Sequence, residues 1–471
     1  MNELEQELKV RFGFDHFRPG QAPLIQAALA GQDALGVLPT GSGKTLCYQL
    51  PGVLMTGLVV VVEPLLALME DQVARLQASG EKRAVALSSR LTPGDAEVVM
   101  AGLAATRFLF VAPETLMKPA TLNRLAQLPI SLLVIDEAHC ISQWGPDFRP
   151  AYLQLGQARQ KLRPQATMAL TATAPARVQA DITTGLGLQA PVRIIASVDR
   201  PNIYLGVALV DSTAAKTARL DELIGAVDGP KIVYFDRKAE AEATSAHLRA
   251  RGCTAAYYHA GLSSGQRDLI QRQFMADQLE VVCATSAFGM GIDKPDVRLV
   301  VYTHLPESLE AYTQGIGRAG RDGLPSASLL LLAPGDYQRA QQFAQTLPEP
   351  TLIQTVYQHP EAYVDMDDPQ ISLVEAYIKA GFTEAQTLAQ LQARLGEKQG
   401  SFAAMAAFLN AQPCHRAALL AHFDSPAVAH HETCCGPLTP AVLAQLAPGG
   451  LRPQRPDTDW RAIFHTIFKM N

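Results

Sequence analysis

The sequence predicts an α/β protein: two tandem parallel-sheet domains followed by a small, mainly helical C-terminal region. Twice along the chain a short β-branched run, a turn and a helical pattern repeat, and the runs are apolar at every position instead of alternating. Strands of that kind are buried on both faces, as in parallel sheets covered by helices. Beyond about Pro334 the strand signal stops, and Ala-, Leu- and Gln-rich segments at helical spacing take over.

In the first region the expected strands are Ala34 to Leu38, Leu58 to Val62, Ala84 to Leu87, Phe108 to Val111, Leu132 to Ile135 and Met168 to Leu170. In the second they are Lys231 to Phe235, Ala255 to Tyr258, Glu280 to Cys283, Leu299 to Tyr302 and Ser328 to Leu332. The segment Ser197 to Asn202 falls between the two regions. The expected division is therefore 1–198, 199–335, a helical region at 336–440, and a linker with a terminal helix at 441–471. Pro437 to Asp457 is Pro- and Gly-rich and reads as loop, while Trp460 to Met470 has the spacing of a short helix.

Composition bounds the class. With 48% hydrophobic and 18% charged residues, the 471-residue chain has the make-up of an ordinary globular protein. No apolar run reaches the roughly eighteen residues of a membrane span, and the acidic, mixed N-terminus does not resemble a signal peptide, so a cytoplasmic protein is expected. A net charge of −5 argues against a surface coated in nucleic acid and points to a local groove. Of the seven cysteines, Cys47, Cys140, Cys253 and Cys283 sit in apolar or motif segments and read as small buried side chains.

Four stretches carry the chemistry: PTGSGKT (Pro39 to Thr45), DEAHC (Asp136 to Cys140), TAT (Thr171 to Thr173) and QGIGRAGRDG (Gln314 to Gly323). Thr40, Gly41, Ser42, Gly43, Lys44 and Thr45 lie between a strand and a helix. There glycines admit a phosphate, the lysine meets its charge, and the Thr45 hydroxyl reaches a magnesium ion. Leu38 stands where the strict phosphate-loop pattern has its first glycine. Asp136, at the end of an apolar strand, suits magnesium, and Glu137 suits the orientation and deprotonation of an attacking water. Arg318 and Arg321 are three residues apart on a segment too rich in glycine for an exposed helix. Arginines delivered from so distant a segment stabilise charge at a γ-phosphate, with Arg321 as the finger and Arg318 as the phosphate contact. ATP and magnesium are the cofactors these residues call for.

In this order the motifs resemble those of the RecQ family of superfamily 2 DNA helicases, over roughly residues 10 to 335. The resemblance implies that both domains are RecA-like. Phe14 and the run Phe17-Arg18-Pro19-Gly20-Gln21 are similar to the family's adenine-recognising motif. The resemblance implies Phe14, Arg18 and Gln21 as nucleotide-binding residues, an aromatic ring stacking on the base and Gln21 pairing with its edge. Ile141 to Pro150 is similar to its aromatic-rich loop, which would offer Trp144, Phe148 and Arg149 to a single strand. Four positions depart from the pattern: Pro146 stands for histidine, Glu63 and Ala67 for serine and Gly315 for glutamate. Ala287 to Pro295 and Tyr258 to Leu262 keep the family form.

RecQ proteins commonly carry a zinc-binding helical region after the motor. Here Cys414-His415-Arg416 resembles its first part, but the second is reduced to His430 to Gly436, without a C-x-x-C-x-x-C cluster. Cys414, His431, Cys434 and Cys435 are candidate zinc ligands. Adjacent cysteines rarely share one ion, so a remnant held by apolar packing is favoured over structural zinc. The residues after Cys435 are too few for the winged helix of many relatives.

The resulting expectation is an ATP- and magnesium-dependent DNA helicase moving 3′→5′ on single-stranded and forked DNA, in repair or recombination, as a monomer without a membrane partner. A DEAH-type RNA helicase is one alternative. The other is a nucleotide-gated nucleic-acid-binding protein with weak or no unwinding, motivated by Pro146, Glu63 and the missing cluster.

Overall fold

The computed structural model describes residues 3–446, apart from 89, 143–149, 290, 291, 364, 365, 367 and 432. Its centre is a pair of seven-stranded sheets. The first contains β1 (Ala34–Val37), β2 (Leu58–Val62), β3 (Ala84–Leu87), β4 (Phe108–Val111), β5 (Ile130–Ile135), β6 (Ala166–Thr171) and β7 (Val192–Ile195), in the order β3-β4-β2-β5-β6-β1-β7. The second contains β8 (Ile203–Leu209), β9 (Lys231–Tyr234), β10 (Ala255–Tyr258), β11 (Val281–Ala284), β12 (Leu299–Tyr302), β13 (Ser326–Leu332) and β14 (Cys435–Gly436), in the order β10-β11-β9-β12-β13-β8-β14. Every strand pair is parallel. Both sheets carry a buried core on each face, as the apolar strands predict, and the RecA-like architecture that the resemblance implies is present.

Strand β2 explains why alternation is absent. Its side chains point by turns to opposite faces. Leu58, Val60 and Val62 enter one hydrophobic core and Val59 and Val61 the other, all of them buried. In β12, Val300 and Tyr302 face one core while Leu299 and Val301 face its opposite. Each such aliphatic side chain contributes about 1.5–3 kcal/mol on burial.

Three strands escaped the sequence. β7 alternates between half-buried and exposed positions, and β8 is interrupted by Gly206 and follows directly on the boundary segment. β14 is only two residues long and comes from the C-terminal region, pairing Cys435 with Leu205 and Gly436 with Gly206.

The helical region comprises Asp336–Gln345, Pro350–Gln358, Pro369–Lys379, Glu384–Leu409 and His415–His422. Ile353, Val356, Val374, Tyr377 and Leu391 form a small core of their own, while Met405, Phe408, Leu419, Leu420 and Phe423 belong to one core of the second sheet. The loop expected from Pro437 is corrected by the helix Pro440–Leu446. Thr439 caps it by accepting the Val442 N–H at 3.3 Å, and Pro440 has the fixed φ that suits a first helical turn. Leu438 and Leu443 are buried against the second sheet, which anchors this helix. The terminal helix expected at 460–470 lies outside the described residues.

Candidate active site

The phosphate loop follows β1, and Thr45 immediately precedes the helix Leu46–Leu54. Gly41 and Gly43 have φ of +83° and +78°, conformations that side chains with a β-carbon rarely adopt. Lys44 turns back over the loop, its Nζ donating to Leu38 O at 3.3 Å. Ser42 Oγ is buried without a hydrogen-bond partner. Positive-φ glycines, a lysine and an unpaired hydroxyl at a helix N-terminus form an anion cradle that fits a nucleotide triphosphate.

Gln21 joins this loop from the start of the helix Gln21–Leu29. Its Oε1 accepts the Arg18 N–H at 2.9 Å, while Nε2 donates to Ser42 O at 2.9 Å and Gly43 O at 3.1 Å. The Arg18 guanidinium donates to Gly41 O. Phe17 packs into the small core around Leu8, Ile25 and Leu50, whereas Phe14 is 53% exposed. Gln21 and Arg18 are thus tied to the phosphate loop, and the Phe14 ring is left open.

Asp136 follows β5 and Glu137 adopts a left-handed backbone, φ +46°. At that kink Asp136 Oδ1 accepts the Glu137 N–H at 2.9 Å. Glu137 pairs with His139 at 3.3 Å, and His139 Nδ1 lies 2.9 Å from Thr171 Oγ1, which donates to Thr173 O at 3.1 Å. The DEAHC and TAT motifs therefore form one hydrogen-bonded row, through a histidine the sequence had not assigned a role. Burial, then the Glu137 charge, pushes the Asp136 carboxyl up, with Lys44 opposing. Burial also acts upward on Glu137, but the His139 bond and charge, with Lys44 and Arg318, outweigh it and hold that group down. Glu137 is thereby kept ionised and able to orient a water, while Asp136 offers carboxylate oxygens of the kind a magnesium ion takes.

The second sheet supplies the arginines after the helix Leu309–Ile316. Arg318 is buried, donates to Gln314 O at 2.6 Å and lies 5.9 Å from the Tyr234 ring; its Nε has no hydrogen-bond partner. Arg321 donates to Ile292 O at 2.6 Å and pairs with Asp293 at 2.8 Å. Its stem crosses the phosphate loop: a β-carbon built on Gly41 would meet Arg321 Cγ at 3.3 Å, and one on Gly317 would meet Thr40 at 3.4 Å. Lys44, Asp136, Glu137, Arg318 and Arg321 are brought together from both sheets.

Two departures noted in the sequence gain a physical reason. Glu63 is buried and turns inward, accepting the Leu65 N–H at 3.1 Å. Gly315 leaves room for the Tyr302 hydroxyl, which would stand 1.7 Å from a β-carbon there. Trp144, Pro146, Phe148 and Arg149 lie outside the described residues. Ser142, at the near end of that segment, donates to Asp181 at 2.7 Å.

The DEAD/DEAH box helicase family matches residues 18–182, and the helicase conserved C-terminal domain matches residues 215–323. The chain is 49% identical over 346 residues to the probable ATP-dependent DNA helicase RecS of Bacillus subtilis, a match covering 73% of this chain and 70% of that protein. The chain belongs to the RecQ family of ATP-dependent DNA helicases. It is 42% identical to the ATP-dependent DNA helicase RecQ of Pasteurella multocida, across 72% of this chain but 53% of that longer protein. It thus spans little more than half of some RecQ relatives. Among solved structures, the DEAD-box helicase Mss116 bound to single-stranded RNA superposes with a TM-score of 0.60 at 18% identity, covering 86% of this chain and 90% of that one. MrfA, bound to DNA and AMPPNP, gives 0.59 at 20% identity over 81% of this chain and 56% of that one; both show the shared fold.

In the C-terminal region the expected ligand set is corrected. Cys414, His430, Cys434 and Cys435 bring one ligand atom each within 4.8 Å of one another. His431 is not in the cluster; its Nδ1 sits 3.0 Å from Thr433 Oγ1. His430 replaces it because the turn before β14 brings His430 Nδ1 to 3.0 Å from Cys434 Sγ. The three sulfurs are 3.4–3.6 Å apart. Two thiolates on one tetrahedral zinc stand about 3.7 Å apart, so this donor set fits the ion. Among the described residues no helix is long and apolar enough to cross a membrane.

Proposed function

We propose that this chain hydrolyses ATP to move 3′→5′ along single-stranded DNA and to separate duplexes ahead of it. The observation that carries the reading is the stem of Arg321, from the second sheet, against Gly41 of the phosphate loop in the first. A site completed only by both sheets makes hydrolysis sensitive to their separation, which is what a stepping motor needs. Lys44 and the loop amides hold the phosphates. Thr45 and Asp136 would hold a magnesium ion, which would supply neutralisation of the phosphate charge. Glu137 takes the proton of the attacking water, and Arg318 and Arg321 stabilise the charge that develops. Phe14 stacks on the adenine and Gln21 links base to loop. Trp144, Phe148 and Arg149 contact the strand.

We divide the chain into an ATP-binding domain at 1–198, a second helicase domain at 199–335, a helical region at 336–440 and the remainder at 441–471. We also assign one structural zinc to Cys414, His430, Cys434 and Cys435, in place of a metal-free remnant. A cytoplasmic monomer acting on single-stranded and forked DNA in repair or recombination completes the proposal.

The test is ATPase and strand displacement on 3′-tailed, 5′-tailed and blunt duplexes, with RNA in parallel. Stimulation by DNA, unwinding of the 3′-tailed duplex and loss of both in Lys44→Ala are expected. Stimulation by RNA alone would replace the reading with an RNA helicase, and DNA binding without unwinding would reduce it to a nucleotide-gated binder.

A further inference from the structure

We propose that Arg200, in the segment joining the two sheets, is a positioning residue for the arginine-bearing turn. The proposal rests on Arg321 and Arg318 acting at the phosphates. Arg200 lies between β7 and β8, and its guanidinium gathers three carbonyls of one turn: Gly317 O at 3.3 Å, Ala319 O at 2.9 Å and Gly320 O at 2.8 Å. Asn202 adds a bond to Gly320 O at 2.8 Å and another to Leu324 O at 2.9 Å. These carbonyls stand just past the helix Leu309–Ile316, where carbonyls lack helical partners and the helix dipole is negative. A planar fork with several donors suits such a cluster far better than an ammonium does.

The held turn is the one that touches the phosphate loop. Gly317 packs on Thr40, and its carbonyl also receives Arg321 Nε at 3.4 Å, so Arg200 and Arg321 share an acceptor. Gly320, at φ +53°, has no room for a β-carbon, since Asn202 Nδ2 and Ser326 Oγ would each lie 2.5 Å away. The turn is therefore built around these bonds. Arg200 is itself fixed from behind: Arg416 donates to Arg200 O at 3.1 Å, pairs with Asp199, and reaches Cys434 O at 3.3 Å. Any displacement of the connecting segment is transmitted through Arg200 to the turn, and from the turn to Arg321.

A plain helix cap would make Arg200 matter for stability alone. The measurements that separate the two roles are kcat and KM for ATP with saturating single-stranded DNA, equilibrium binding of a fluorescent ATP analogue, and Tm, on Arg200→Ala, Arg200→Lys, Arg321→Ala and the Arg200→Ala/Arg321→Ala double variant. Arg200→Lys serves as the milder change where Arg200→Ala does not fold. Positioning predicts a kcat loss of about 10-fold or more in Arg200→Ala, a smaller loss in Arg200→Lys and nucleotide affinity within about 3-fold of wild type. It also predicts a loss in the double variant smaller than the product of the two single losses, the non-additivity of groups acting as one unit. An unchanged kcat in folded Arg200 variants, or multiplicative losses in the double variant, overturns it. Full activity in Arg321→Ala would instead overturn the arginine-finger reading beneath it.

Discussion

Arg318 lies so close to the α-carbon of Gly289 that a β-carbon there would fall 1.8 Å from its Nε. The backbone at Gly289, φ +124°, is also one that only glycine adopts freely. Gly289→Ala should therefore push Arg318 from its place above Tyr234. Loss of one transition-state donor costs roughly 10²–10³ in kcat. DNA-stimulated ATPase at saturating ATP is the measurement, and a kcat within twofold of wild type would show that Arg318 has no role at the phosphates.

Gly315 and Tyr302 form a second close pair. Restoring the family's usual glutamate by Gly315→Glu would drive a β-carbon onto the Tyr302 hydroxyl, which now donates to Ala311 O at 3.3 Å. Overpacking of this kind costs about 1–3 kcal/mol. Thermal unfolding should show a lower Tm for Gly315→Glu, recovered in part when Tyr302→Phe is added. Equal stability of Gly315→Glu and wild type would mean that the two side chains do not compete for this space.

The histidines next to the cysteines behave differently if the cluster holds zinc. Metal analysis should find about one zinc per chain, lost in His430→Ala and Cys435→Ser but kept in His431→Ala. A chelator should lower Tm in wild type, since a metal bound only to the folded state stabilises it. Retention of zinc in His430→Ala would remove that residue from the ligand set.

Glu397, in the long helix Glu384–Leu409, is buried with its Oε2 unpaired. Burial pushes its carboxyl up to about 8, against the pull of Arg394 and Arg177. An unfolded glutamate ionises near pH 4.3, so between about pH 4.3 and 8 the unfolded chain sheds a proton that the folded chain retains. The fold is therefore penalised increasingly as pH rises through that window, and fully above it. Glu397→Gln removes the penalty. Its Tm should exceed that of wild type at pH 8 and approach it at pH 5; the opposite trend would mean that the carboxylate is paired and stabilising.

The motifs of the site were legible because each is local. A strand, a tight glycine turn and a helix sit within a few residues around Lys44, and an apolar strand ends directly at Asp136. His139 lay inside a named motif, yet its bond to Thr171 depends on two loops meeting at adjacent strand ends. His430 and His431 could not be separated by spacing, since which imidazole faces the sulfurs is set by the turn that precedes β14.

By itself the sequence determined the two parallel sheets, the motifs of the candidate nucleotide site and the family. Apolar periodicity and glycine positions are constraints that act along a few neighbouring residues. Tertiary structure alone decided that Arg321 rests on Gly41, that Arg200 gathers the turn beneath it and that β14 returns to the second sheet. Those contacts join segments far apart in the chain, and only the packing of two sheets and a returning C-terminal strand brings them within hydrogen-bonding distance.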